Sequence, residues 1–116
     1  MKLQELRNVI DIDVDGSLAR FSNMEAMYLK YLKRFITEPT YDALLEAVAN
    51  QDYKGIEIAA HTLKGICGNL GLNTLFNDFN NIVKAVRSED NALAISLCEQ
   101  IQPKIAQTRD ALATLD

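Results

Sequence analysis

The chain has 116 residues, 48% of them apolar and 24% charged, and carries a net charge of −4. Its length suits one domain, read here as a single unit over residues 1–116 that buries roughly two thirds of its unfolded surface. An acidic balance argues against nucleic acid as a partner, and no apolar run approaches the ~18 residues that a membrane span needs.

The predicted elements are almost all helical, because β-branched residues never alternate with polar ones over a strand length. Short helices cover about Leu3–Ile10 and about Gly16–Phe21, the second with Asp15 as its N-cap. Together they form an N-terminal extension over residues 1–22, ahead of a bundle over residues 23–116. A longer helix runs from Met24 to Ile36. "TEPT" then interrupts, and Pro39 suits the first turn of a new helix that fades by Asn50. The next helix starts near Asp52 and ends at Leu70, with Gly71 in the C′ position and Leu72 as its apolar contact. Asn73 is expected to cap a helix over Thr74–Arg87. "SED" makes a turn, and a last helix covers about Asn91–Leu115, with a kink or break expected at Pro103. Short connections between helices of similar length predict an all-α, antiparallel up-and-down four-helix bundle. Leu75, Phe79, Ile82 and Val86 form one apolar stripe, and Leu93, Leu97, Ile101 and Ile105 another. Tyr28, Tyr31 and Phe35 are at core spacing. Cys67 and Cys98 have neither metal-ligand spacing nor disulfide density, which fits reduced core cysteines. The N-terminal stretch has no signal-peptide apolar block, so the expected location is the cytoplasm.

The segment "AAHTLKGICGNLGLN" holds the only histidine, His61, together with Gly65, Gly68 and Gly71. On a helical wheel with Ile56 at zero, Ile56, Ala59, Leu63, Ile66, Cys67 and Leu70 share an arc of about 100°. His61 comes at about 140°, with Lys64, Gly68 and Gly65 at about 80°, 120° and 180°. The histidine therefore points to solvent. Two glycines inside a helix cost about 1–2 kcal/mol, out of a typical total stability of roughly 5–15 kcal/mol. Both are placed on the exposed face, where they strip side chains from the surface beside His61. A macromolecule could then bring its backbone close to the imidazole. Lys64 disfavours a metal cation at His61 and favours an anion. An exposed nucleophilic imidazole beside an anion-stabilising lysine points to a histidine that is itself phosphorylated.

"HTLKGICGNLG" resembles the signature of histidine-containing phosphotransfer (HPt) domains of multistep phosphorelays, through His61, Leu63, Lys64, Gly65 and Gly71. "IDVDGSLARFSNMEAMYLKYLKRF" and "EAVANQDYKGIEIAAHTLKG" extend the resemblance from Ile12 to the C-terminus. Gly68 departs from the small residue, such as alanine, that is more usual there. The resemblance implies that His61 accepts a phosphoryl group from a receiver-domain aspartate and passes it to another receiver. It implies that Lys64 steadies the phosphoryl oxygens and that Gly65 and Gly68 admit the receiver. Ile58, on the exposed side at about 200° on the wheel, is a candidate docking contact. Such a protein is a phosphotransfer intermediate and not an ATP-dependent kinase, and no nucleotide motif is present. No cofactor is expected on this chain, and Mg²⁺ is expected on the receiver. The partners implied are receivers of response regulators or of a hybrid sensor histidine kinase. A monomer is expected, either free-standing or part of a hybrid kinase.

"DIDVDG" imitates the start of a calcium loop, but Ser22 stands where the closing carboxylate belongs, so capping explains it better. The charged run holding Lys30, Lys33 and Arg34 reads as a solvated face able to steer an acidic receiver. The competing reading is a helical interaction module that binds a receiver or kinase without carrying phosphate. A metal- or ligand-binding bundle ranks last, because the predicted stripes are apolar.

Overall fold

The computed structural model describes residues 1–116, which are helical with no strand. A 3-10 helix spans Leu3–Asn8. It is followed by α1 (Val14–Arg20), α2 (Glu25–Arg34), a 3-10 turn (Phe35–Thr37), α3 (Pro39–Ala49), α4 (Tyr53–Leu70), α5 (Asn73–Arg87) and α6 (Asn91–Ala113). Helices α3 to α6 pack in sequence. The bundle is closed by α2, which touches α4 and α6, and by the 3-10 turn, which touches α6. The 23 residues of α6 extend roughly 35 Å, most of the molecule's 40 Å length.

Local chemistry sets most of the boundaries. Pro39 opens α3, and the Glu38 carbonyl before it accepts from Arg109 of α6 at 3.3 Å. The Arg109 guanidinium lies over the rings of Tyr41 and Phe35, which ties the α2–α3 junction to α6. Asp52 caps α4 through the Gly55 amide at 2.9 Å, and Asp90 caps α6 through the Leu93 amide at 3.1 Å. Tyr28, Leu32, Phe35, Leu44, Ile56, Leu63, Phe79, Ile82, Ile101 and Ile105 are buried at the centre.

Several expectations are corrected. Asp13, not Asp15, caps α1, accepting from the Gly16 amide at 3.0 Å, while Asp15 pairs with Arg7 at 3.2 Å. Asp11 accepts from the Thr74 hydroxyl at 2.9 Å, so the three carboxylates of "DIDVDG" go to separate partners. Asn73 is already helical, and Leu72 holds the cap position without a side-chain bond. The turn at Gly71 draws Leu72 into the core, and α5 starts directly behind it. Pro103 does not break α6: it and Glu99 are exposed, so the carbonyl freed by the missing N–H faces water. Tyr31 is exposed on the outer side of α2, and Leu93 is exposed in the first turn of α6. Ile66 and Val86 are only partly buried.

Candidate functional site

Helix α4 buries Ile56, Ala59, Ala60, Leu63, Cys67 and Leu70 and turns its opposite side outward. His61 is exposed midway along it, as the wheel predicts. Gly65, one turn on, is bare: a Cβ added there meets nothing within 4 Å. Ile58 is 58% exposed, a high value for so large an apolar side chain. Beside Ile58 runs an open groove of about 560 Å³ between α3 and α4, with Pro39, Ala43, Ala47 and Thr62 among its walls.

Gly68 differs from Gly65 and corrects the expectation that both glycines are simply exposed. A Cβ at Gly68 would stand 3.1 Å from Cδ2 of Phe76 on α5. Its absence lets the Phe76 ring lie against α4. That ring in turn carries Lys64, whose Nζ is 5.8 Å from the ring centroid. Lys64 is half-buried, with its stem along the α4–α5 seam and its ammonium at the edge of the His61 face. On the other side of His61, Glu57 accepts from Arg87 at 2.9 Å and from Lys54 at 3.4 Å. The Arg87 guanidinium, and Lys54 after it, hold the Glu57 carboxyl below the usual carboxylate range. Phe76 and Arg87 escape a reading of the sequence, because their place beside α4 depends on the register between two helices. Lys33, expected on a free basic face, donates to the main-chain oxygen of Asp116 at 2.9 Å, and Arg34 lies over the Tyr31 ring.

The C-terminal end of α4 is held from several directions. A helix end leaves four carbonyls without intrahelical partners. Here the Cys67 carbonyl accepts from the Leu72 amide at 2.9 Å, and the Gly68 carbonyl from the Gly71 amide at 3.3 Å. Arg20 of α1 donates to the carbonyls of Gly68 and Asn69, and the Tyr28 hydroxyl donates to that of Leu70 at 2.7 Å. Gly71 has φ +77°, and a Cβ there would stand 2.4 Å from the Ser17 hydroxyl. Its carbonyl accepts from the Asp13 amide at 2.9 Å. Glycine is thus required twice, by its backbone angle and by the close approach of α1. Burial pushes the Tyr28 hydroxyl above its ordinary range. It also pushes the Cys98 thiol up to about 11 and the Cys67 thiol further, so neither cysteine is a ready nucleophile.

A family model described as Hpt domain matches residues 31–115. The chain belongs to the Hpt domain family. Members act in histidine phosphotransfer within phosphorelays; they are phosphocarriers and not kinases, and they interact with receiver domains. The matched region contains α3 to α6 and the whole histidine face. It begins at Tyr31, later than the resemblance traced from Ile12, and leaves out the α1 segment that clasps the end of α4. Comparisons with curated proteins and with solved structures return no match. No helix is long and apolar enough to cross a membrane.

Proposed function

We propose that this Hpt domain carries a phosphoryl group on His61, taking it from the aspartyl phosphate of one receiver and giving it to the aspartate of another. The observation that carries this reading is the exposed His61 beside bare Gly65 on the outward side of a rigid, well-anchored helix. In the forward step a lone pair of an imidazole nitrogen attacks phosphorus. The N–P bond forms as the bond from phosphorus to the aspartate oxygen breaks, and the carboxylate leaves with the electron pair. The return step is the reverse on a second receiver. Reach along the side chain favours Nε2 as the nitrogen that attacks.

The remaining residues bind and orient. Lys64 swings from the Phe76 ring to the phosphoryl oxygens, a short move for a flexible ammonium stem. Gly65 leaves room for the receiver's backbone, and Ile58 supplies apolar contact on the neighbouring edge. Gly68 acts one step removed, by seating Phe76 under Lys64. The carboxylate one turn before His61 is taken up by Arg87 and Lys54, and no cluster of three His, Cys, Asp or Glu groups converges in the chain. On this reading the Mg²⁺ that neutralises charge during transfer is held by the receiver. The chain works in the cytoplasm as a monomer, with receivers of response regulators or of a hybrid sensor kinase as partners.

The test is to mix the protein with a receiver carrying labelled aspartyl phosphate and Mg²⁺ and follow the label. Label that reaches this chain, is lost in acid and survives alkali identifies His61 without mapping, because it is the only histidine. No transfer from several active receivers to a folded chain would favour the interaction module that binds without carrying phosphate.

A further inference from the structure

Lys64 has no carboxylate within ion-pair distance, unlike Lys2, Lys54 and Lys104, which pair with Asp116, Glu57 and Asp78. Its ammonium rests instead over the ring of Phe76, 5.8 Å from the centroid, within the range at which a cation is drawn to an aromatic face. The half-buried ring fits there because Gly68 has no Cβ. A Cβ at Gly68 would stand 3.1 Å from Cδ2 and 3.3 Å from Cε2 of Phe76. Gly68 follows Lys64 by one turn of α4, and His61 precedes it by about one turn. The seat of the ring and the histidine therefore lie to opposite sides of Lys64 along the helix axis.

We infer that Phe76 is a positioning residue that holds Lys64 off His61 in the unphosphorylated chain, and so lowers the share of phosphoryl group that His61 keeps at equilibrium. This rests on the phosphocarrier reading above and adds to it what sets the balance of the transfer. The ring stabilises Lys64 only while His61 is free. A phosphoryl group brings nearly two negative charges and three strong acceptor oxygens. Charge-assisted hydrogen bonds to it outweigh the attraction of the ring, and the ammonium leaves Phe76 for the phosphoryl oxygens. The stacking lost in that move is subtracted from what the lysine contributes to phosphohistidine. A carrier that takes a group from one aspartate and gives it to another gains from such a brake, because too firm a hold on His61 would stall the second step. Leucine at position 76 would fill much of the same space against Gly68 and offer no ring face to the ammonium.

The experiment measures the ratio of phosphohistidine to aspartyl phosphate at equilibrium with one receiver, a quantity that does not depend on how fast the two proteins dock. Phe76→Leu is expected to raise the share on His61 about two- to fivefold, the effect of losing one cation–ring contact at a solvent-facing site. Phe76→Met does the same, so that one variant's failure to fold leaves the other to decide. Phe76→Tyr keeps the ring and the wild-type ratio. In a Lys64→Met background Phe76→Leu changes nothing, a non-additivity that action through the lysine requires. Helical circular dichroism and melting temperature establish that each variant is folded. An unchanged or lowered share in the ringless variants overturns the inference. So does a Phe76→Leu effect of equal size with and without Lys64, which would mean that the ring acts through packing of α4 against α5. A wild-type chain that takes no label overturns the phosphocarrier reading, and this one with it. A wild type that takes label while every Phe76 variant matches it overturns this inference alone.

Discussion

The middle of α4 and its C-terminal end share one helix and are built in opposite ways. At the end, every terminal carbonyl has a partner, and Gly71 is pressed between Ser17 and Asp13 so tightly that no side chain fits. In the middle, His61 is exposed and the space above Gly65 is empty. The contrast teaches that an open chemical face needs a fixed frame. A histidine that meets a large partner gains from a helix whose far end cannot fray, because the imidazole is then already aimed.

His61→Gln gives the largest functional effect: phosphoryl acceptance is lost altogether, while stability moves by no more than about 0.5 kcal/mol, as for an exposed site. Labelled transfer and a urea melt on the same sample read both halves of that statement. Gly71→Ala does the reverse. The left-handed backbone and the collision with Ser17 and Asp13 are expected to cost about 2–3 kcal/mol, visible as a lower urea midpoint, with His61 still competent in the molecules that fold.

Gly65→Leu separates docking from folding. Transfer from a receiver falls about tenfold or more if the added side chain costs the complex ~1.4 kcal/mol, while the helix gains roughly 0.5–1 kcal/mol. Unchanged transfer would remove bareness as the reason for the glycine. Gly68→Ala shows no such gain, because the new methyl must displace the Phe76 ring. Tyr28→Phe loses the bond to the Leu70 carbonyl and is expected to cost about 1 kcal/mol, with no direct effect on transfer.

The smallest effect is a pH limb. Tyr28 and Cys98 are held in their neutral forms by burial, above their ordinary values of 10.0 and 9.0. Their contribution is complete below those values and is lost as pH rises through them toward the higher folded values. Melting temperature should therefore fall in alkali, and Tyr28→Phe should flatten part of the fall.

Much of this was legible in the sequence. Periodicity alone put His61 outward, because six apolar residues of α4 define the opposite arc. Gly71 followed by Leu72 marked the helix end. The cap of α1 went to Asp13 and not to Asp15, since both suit the role and only the path of the chain decides between them. Gly68 looked like Gly65 because the wheel does not show Phe76 on a neighbouring helix. Arg87 was invisible for the same reason: its partner lies across a helix seam, and no spacing within one segment reports that.

The most direct measurement is a phosphorus NMR spectrum of the chain after exchange with a phosphorylated receiver, for wild type and His61→Gln side by side. One resonance in the nitrogen–phosphorus range in the wild type, absent from a variant with unchanged circular dichroism, is the expected result. A resonance that persists in the variant, or a wild type with none, would contradict the assignment of the open face of α4 as the site of phosphoryl transfer.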